Sequence, residues 1–281
     1  MVACGDEPST SSSATVDPAR PFTLFTPSTY RDGSPMPLVI LLHGLGETGL
    51  IEEYFWRLEP LAESRGFLYV HPNGSLHPAG DRFWNATDAC CGFGSTVDDV
   101  AYLMSIIDEV SATRDVDPDS VFVMGHSNGG FMSYRMACDA ADRVAAIVSL
   151  AGATWNDPAK CDPSQPVSVL QIHGTADVAV TYDGARIDDG AYPGAVSTVA
   201  TWAGYDGCDG TPVATGETLD LEPALPGDET SVTTFDDCPT GVAVVLWTLD
   251  GGSHTPANRF DDGSRPMSDL VIDWLLAHPR P

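Results

Sequence analysis

The chain has 281 residues, 43% of them hydrophobic, which suits one large folded domain and excludes a disordered protein. Thirteen Lys and Arg against forty Asp and Glu leave a formal charge of −27. Such a chain lacks the clustered cations that hold phosphates and is repelled by anionic lipid, so no nucleic-acid partner is expected. No apolar run reaches the roughly 18 residues of a membrane-spanning helix, so no transmembrane segment is expected either.

Met1-Val2-Ala3-Cys4-Gly5 opens the chain, and Ser, Thr and Pro dominate as far as Asp17. Val-Ala-Cys resembles the cleavage end of a bacterial lipoprotein signal, which makes Cys4 a candidate lipid anchor. Residues 1–20 are expected to form a flexible tether ahead of a single domain over 21–281. A secreted or outer-surface location follows.

Phe22–Phe25 reads as an early edge strand. Continuous apolar runs bounded by turn residues then mark strands buried on both faces: Pro37–His43, Phe67–His71, Ser120–Gly125, Val144–Leu150, Val167–His173 and Val242–Leu249. Helical spacing falls between them. Val100, Leu103, Met104, Ile107 and Val110 share one face, with Asp98 and Asp99 at the N-terminal end where the dipole favours acids. Phe131, Tyr134 and Cys138 repeat the pattern, as do Val196, Val199, Ala200 and Ala203. Leu270, Val271, Trp274 and Leu275 predict a last helix that Ser268 is placed to cap. Alternating strands and helices imply βαβ units and a mostly parallel, doubly wound sheet flanked by helices. Residues 209–238 interrupt the alternation and read as a surface excursion with one strand near Ser231–Phe235.

Apart from Cys4 there are six cysteines, none in C-x-x-C spacing, so zinc and thioredoxin-like chemistry fit poorly. Three disulfides suit an oxidising compartment. Cys208 and Cys238 flank the excursion and are expected to pair. The adjacent Cys90 and Cys91 are expected to take separate partners, Cys138 and Cys161, in an order the spacing leaves open.

The sharpest motif is Gly125-His126-Ser127-Asn128-Gly129-Gly130, a G-x-S-x-G. A strand ends on it and a helix pattern starts from it, which is the strand–turn–helix context of a nucleophile elbow. A serine hydroxyl is a weak nucleophile, so it needs a base and an acid to orient that base. In such sheets both follow the serine, acid first, on loops after later strands. Asp177 lies in the loop after Val167–His173, with Asp183 in reserve. His254 lies past Val242–Leu249, on a loop whose Gly251 and Gly252 let it reach back. His43-Gly44-Leu45-Gly46 follows the first long strand, so the backbone amides of Leu45 and Asn128 are the candidate oxyanion donors. Trp84, His126 and Trp155 follow strand ends or flank the serine and are candidates to line the substrate site.

Six segments in order carry a resemblance: LLHGLGETG, WNATDACCG, VDDVAYL, GHSNGG, HGTADVAVTYDG and TVATWAGYDGC, closed by GGSH. Over roughly residues 22–278 the chain resembles the esterase family of extracellular polyhydroxybutyrate depolymerases, feruloyl and acetyl-xylan esterases and related actinobacterial lipoprotein esterases. The resemblance implies an α/β-hydrolase fold and carboxylic ester hydrolysis with neither a metal nor an organic cofactor, and a monomer is expected. The family's nucleophile, acid and base match Ser127, Asp177 and His254. Departures occur at His126, where the family often has a small or apolar residue, and after His254, where Thr-Pro-Ala-Asn stands in place of a frequent aromatic. An acyltransferase with the same three residues and a non-catalytic binding module are the alternatives the residues leave open.

Overall fold

A computed structural model describes residues 16–187, 189–258 and 265–281. Cys4, the candidate lipid anchor, lies outside the described residues. The strands are β1 (Leu24–Phe25), β2 (Met36–Leu42), β3 (Leu68–Val70), β4 (Ser75–Leu76), β5 (Arg82–Phe83), β6 (Val116–His126), β7 (Ala146–Leu150), β8 (Ser168–Gly174), β9 (Gly184–Ile187), β10 (Gly190–Pro193), β11 (Pro212–Leu219), β12 (Thr230–Phe235) and β13 (Val244–Leu249). The helices are α1 (Gly49–Trp56), α2 (Leu58–Arg65), α3 (Asp99–Thr113), α4 (Asn128–Asp139), α5 (Ala195–Asp206) and α6 (Met267–Leu276).

Nine strands form one sheet in the order β1-β3-β2-β6-β7-β8-β13-β12-β11. Every pairing from β3 across to β13 is parallel, and the edge strands β1, β12 and β11 pair antiparallel. Alternate residues of β2 enter different cores, as the two-residue period of a strand demands. Leu38, Ile40 and Leu42 pack with Leu103 and Ile107 of α3, Phe131 of α4 and Trp202 of α5. Val39 and Leu41 pack with Trp56, Leu58 and Ala62 of α1 and α2 and with Val271 and Leu275 of α6. The sheet is thus covered on both sides, which is why its strands read as unbroken apolar runs. From β2 the chain winds outward to β3 and then returns across to β6. The crevice beyond the C-terminal ends of β2 and β6 is therefore the topological switch point, where ligands bind in open parallel sheets.

Four expectations need correction. Arg20, assigned to the end of the tether, is packed into the domain. Arg20 is buried, its guanidinium pairs with the buried Asp99 and lies 3.8 Å from the centre of the Tyr102 ring, and the Tyr102 hydroxyl donates to its carbonyl oxygen. The excursion at 209–238 is a hairpin, β11–β12, which extends the sheet beyond β13 because its strands continue the backbone pairing. Cys90 and Cys91 are bonded to each other, and Cys138 to Cys161, with Cys208–Cys238 as expected. The end of α4 and the Pro158–Lys160 turn bring the Cα atoms of Cys138 and Cys161 to 5.7 Å, an ordinary disulfide spacing, and so leave the adjacent pair to each other. Ser268 is not a cap: α6 begins before it at Met267, Pro266 holds the cap position, and the Ser268 amide donates to Asn258.

Candidate active site

β6 ends at His126 and α4 begins at Asn128, so Ser127 alone makes the turn between them. It does so at φ +53°, ψ −117°, a backbone conformation costly for a residue with a side chain. The turn closes because its flanking residues lack Cβ atoms. A Cβ on Gly129 would stand 2.1 Å from the Leu42 carbonyl oxygen, and one on Gly125 would stand 2.5 Å from the Gly129 backbone. The Ser127 amide is tied to the Leu150 carbonyl at 2.8 Å. The half-buried hydroxyl is thereby fixed at the switch point, over the N-terminus of α4.

The loops after β8 and β13 approach it together. Ala176 donates to the Gly252 carbonyl at 3.0 Å, and Gly251 donates to the Thr175 hydroxyl at 2.8 Å. A Cβ on Gly174 would fall 2.1 Å from the Gly252 carbonyl oxygen, so the two loops are in backbone contact. His254 Nε2 lies 2.9 Å from Ser127 Oγ, and His254 Nδ1 lies 2.7 Å from Asp177 Oδ2. A carboxylate only accepts, so Nδ1 carries the proton and Nε2 is the acceptor for the serine hydroxyl. Asp183, the reserve acid, is exposed and takes no part in this contact.

Asp177 is buried and well supplied with donors. Its Oδ1 accepts from the amides of Ala179 and Val180 at 2.8 and 2.9 Å, and its Oδ2 lies 3.4 Å from His173 Nε2. Burial pushes its carboxyl up, but these hydrogen bonds and the two imidazoles outweigh it and hold the group below its ordinary value. His173 donates to the Val180 carbonyl at 2.7 Å and so braces the loop that carries the acid. Its position at a strand end four residues before the acid was the only sequence signal for that part.

α4 packs directly on the end of β2, beside the turn that carries Leu45. Asn128 is the first residue of α4, so its amide has no carbonyl one turn back to bond. In the turn after β2, Gly44 donates to Glu47, Gly46 to Arg82 and Glu47 to Gly44, while Leu45 has no acceptor among the described residues. The Asn128 side chain clamps the elbow: its Oδ1 accepts from the Trp84 amide at 2.7 Å and its Nδ2 donates to the Trp84 carbonyl at 2.9 Å.

The three substrate-wall candidates separate. His126 lines a cavity of about 450 Å³ beside His254, with Ile51, Tyr54 and Phe55 on one side and Thr255, Pro256 and Ala257 on the other. Its ring lies 4.9 Å from that of His254, and its Nε2–H donates to the His254 carbonyl at 2.9 Å. Burial, with His254 next to it, pushes its value down to about 4, so the ring is neutral. Trp84 does not line the site. It is wholly buried against Tyr102 and its indole N–H donates to the His43 carbonyl, so it supports the elbow from beneath. Trp155 is buried too, and borders a different cavity of about 480 Å³ with Asn85, Asp88 and Arg135. Nothing in the sequence pattern marked α1 as a cavity wall.

A family model described as the alpha/beta hydrolase fold matches residues 37–214. The chain belongs to this family. Among its relatives, feruloyl esterase D of Neurospora crassa is 28% identical over 283 residues, spanning 94% of this chain and 86% of that protein. Feruloyl esterase B of Piromyces equi is 28% identical over 236 residues, and there the match spans only 41% of the relative's length. The solved acetyl xylan esterase from Aspergillus awamori superposes with a TM-score of 0.63 at 17% identity, covering 91% of this chain and 93% of that one, a likeness of fold. The expected fold class and family resemblance hold.

Proposed function

We propose that this α/β hydrolase is a serine carboxylic ester hydrolase with Ser127 as nucleophile, His254 as base and Asp177 as the acid that orients it. The unbroken contact chain Asp177–His254–Ser127 carries the reading. His254 Nε2 takes the hydroxyl proton as Oγ attacks the ester carbonyl. The amides of Leu45 and Asn128 receive the charge that develops on the carbonyl oxygen. The imidazolium, stabilised by the Asp177 carboxylate, protonates the departing alcohol, and water then resolves the acyl-enzyme by the same route. The relatives' names support feruloyl or acetylxylan esters as the substrate class. The cavity at Tyr54, Phe55 and Pro256 is of a size and lining to take an aryl or short alkyl acyl group. Three disulfides support work outside the cytoplasm. Lipid attachment at Cys4 and a catalytic domain running to residue 281 belong to the same proposal.

Ser127→Ala is expected to lower p-nitrophenyl ester hydrolysis about 10³-fold or more, and to abolish labelling by a fluorophosphonate probe, with the fold intact by circular dichroism. Undiminished hydrolysis by the folded variant would refute the assignment. Rates on methyl ferulate, acetylated xylan and 3-hydroxybutyrate oligomers then rank the acyl groups.

A further inference from the structure

One wall of the cavity beside His254 is built from Glu47, Glu52 and His126, and one ligand-type atom from each lies within 4.8 Å of the other two. Glu52 and His126 are 2% and 5% exposed.

Each side chain is anchored at the edge of the cluster, and Glu47 and Glu52 are also hydrogen-bonded to each other. Glu52 Oε1 accepts from Trp56 Nε1–H at 2.8 Å. Glu47 Oε2 accepts from the Gly44 amide at 3.2 Å. His126 Nε2–H donates to the His254 carbonyl, so in the neutral ring Nδ1 is a bare lone pair. Nδ1 has no hydrogen-bond partner among the described residues. It points to the Glu47 side, since a Cβ placed on Gly44 would lie 2.9 Å from Glu47 Oε2 and 3.5 Å from Nδ1. The Glu47–Glu52 hydrogen bond brings one proton into the cluster and leaves the His126 lone pair facing it, and a divalent cation in place of that proton would meet all three groups at once. An imidazole whose other nitrogen is held by a carbonyl is the usual outer support of a metal-ligating histidine.

We propose that Glu47, Glu52 and His126 form a binding site for a divalent cation of the zinc class, open to the cavity on its fourth side. One nitrogen and two carboxylate oxygens suit zinc or cobalt, whereas calcium and magnesium seek six or more oxygens. The cavity supplies the entry path. A cation held there occupies the wall against which an acyl group would lie, so it should compete with substrate. Binding itself does not depend on the hydrolase reading, and the first readout below is independent of it.

The test titrates the chelator-stripped full-length protein with Zn²⁺ by calorimetry and with Co²⁺ by visible absorption, both in excess Mg²⁺ and repeated in Ser127→Ala. One equivalent should bind, with the Co²⁺ bands of a low-symmetry nitrogen and oxygen site, in wild type and Ser127→Ala alike. His126→Asn and Glu47→Gln, checked for folding by circular dichroism, should each weaken it about tenfold or more. Absence of saturable one-equivalent binding, or binding of equal strength in both folded variants, overturns the site. If Zn²⁺ binds and raises KM for the ester with kcat unchanged, the cation lies in the acyl path. If it binds without affecting hydrolysis, the site stands and the competition does not.

Discussion

Asp177 accepts three hydrogen bonds through two oxygens, with His173 Nε2 3.4 Å from one of them, and its identity as an acceptor on both is what keeps the proton of His254 on Nδ1. Asp177→Asn would present an amide N–H to one of those donors. The imidazole would be driven to its other tautomer, with Nε2 protonated and unable to take the serine proton. The expected result is a fall in kcat on the order of 10⁴-fold with KM and far-UV circular dichroism little changed, measured on a p-nitrophenyl ester. Unaltered kcat would remove Asp177 from the mechanism. At this scale the sequence exposed Ser127, Asp177 and His254 because each sits within a few residues of a strand's end, and a parallel sheet gathers such ends at one edge. It could not separate a wall tryptophan from a supporting one. Trp84 follows β5 just as the site residues follow their strands, and only its burial and its bond to the His43 carbonyl show which way it faces.

Elements with an apolar inner face were legible, and those that invert the rule were not. On α1 the exposed residues include Leu50, Ile51 and Tyr54, while Glu52 is buried. A helix with oily residues outward and an acid inward gives no amphipathic signal, yet it forms because Thr48 caps it and Trp56 anchors it. Strand β12 lies where one was expected near Ser231–Phe235, but its partner β11 escaped for a related reason: most of β11 is exposed, and pairing holds it where packing does not. α5 carries a testable cost of its own. Asp206, in its last turn, is buried; one oxygen accepts from the Val167 amide at 3.0 Å and the other has no partner among the described residues. Burial raises its carboxyl to about 7, and the helix C-terminus opposes a negative charge there. The folded state therefore binds the proton more tightly than the unfolded chain does. Its contribution to stability is complete below the ordinary carboxylate value and is lost as pH rises through about 7. Asp206→Asn keeps the bond to Val167 and needs no charge. Relative to wild type the variant should gain stability at pH 8, by up to about 4 kcal/mol, and little at pH 4. Thermal melts at the two pH values measure the difference, and equal shifts at both would show that Asp206 does not titrate in this range.

Across the whole molecule, topology and charge act on the site from opposite directions. The sheet reverses its winding at β2 and β6, so the elbow, the Leu45 turn and the loops after β8 and β13 share one edge by construction. Charge was equally plain in the sequence, and its consequence is collective. With −27 distributed over 281 residues, most acids have no cation to meet. Exposed pairs such as Arg65–Asp269 and Arg143–Asp108 are each worth little. Self-repulsion of the folded state should then outweigh what those pairs contribute, and salt should stabilise the protein. The screening length falls from about 30 Å at 0.01 M to about 10 Å at 0.1 M, so most of the gain belongs in that interval. The melting temperature should rise by about 2–4 °C for each kcal/mol of repulsion removed, similarly in NaCl and KCl. A melting temperature that stays level or falls between those concentrations would mean that the ion pairs, few as they are, dominate the acids that surround them.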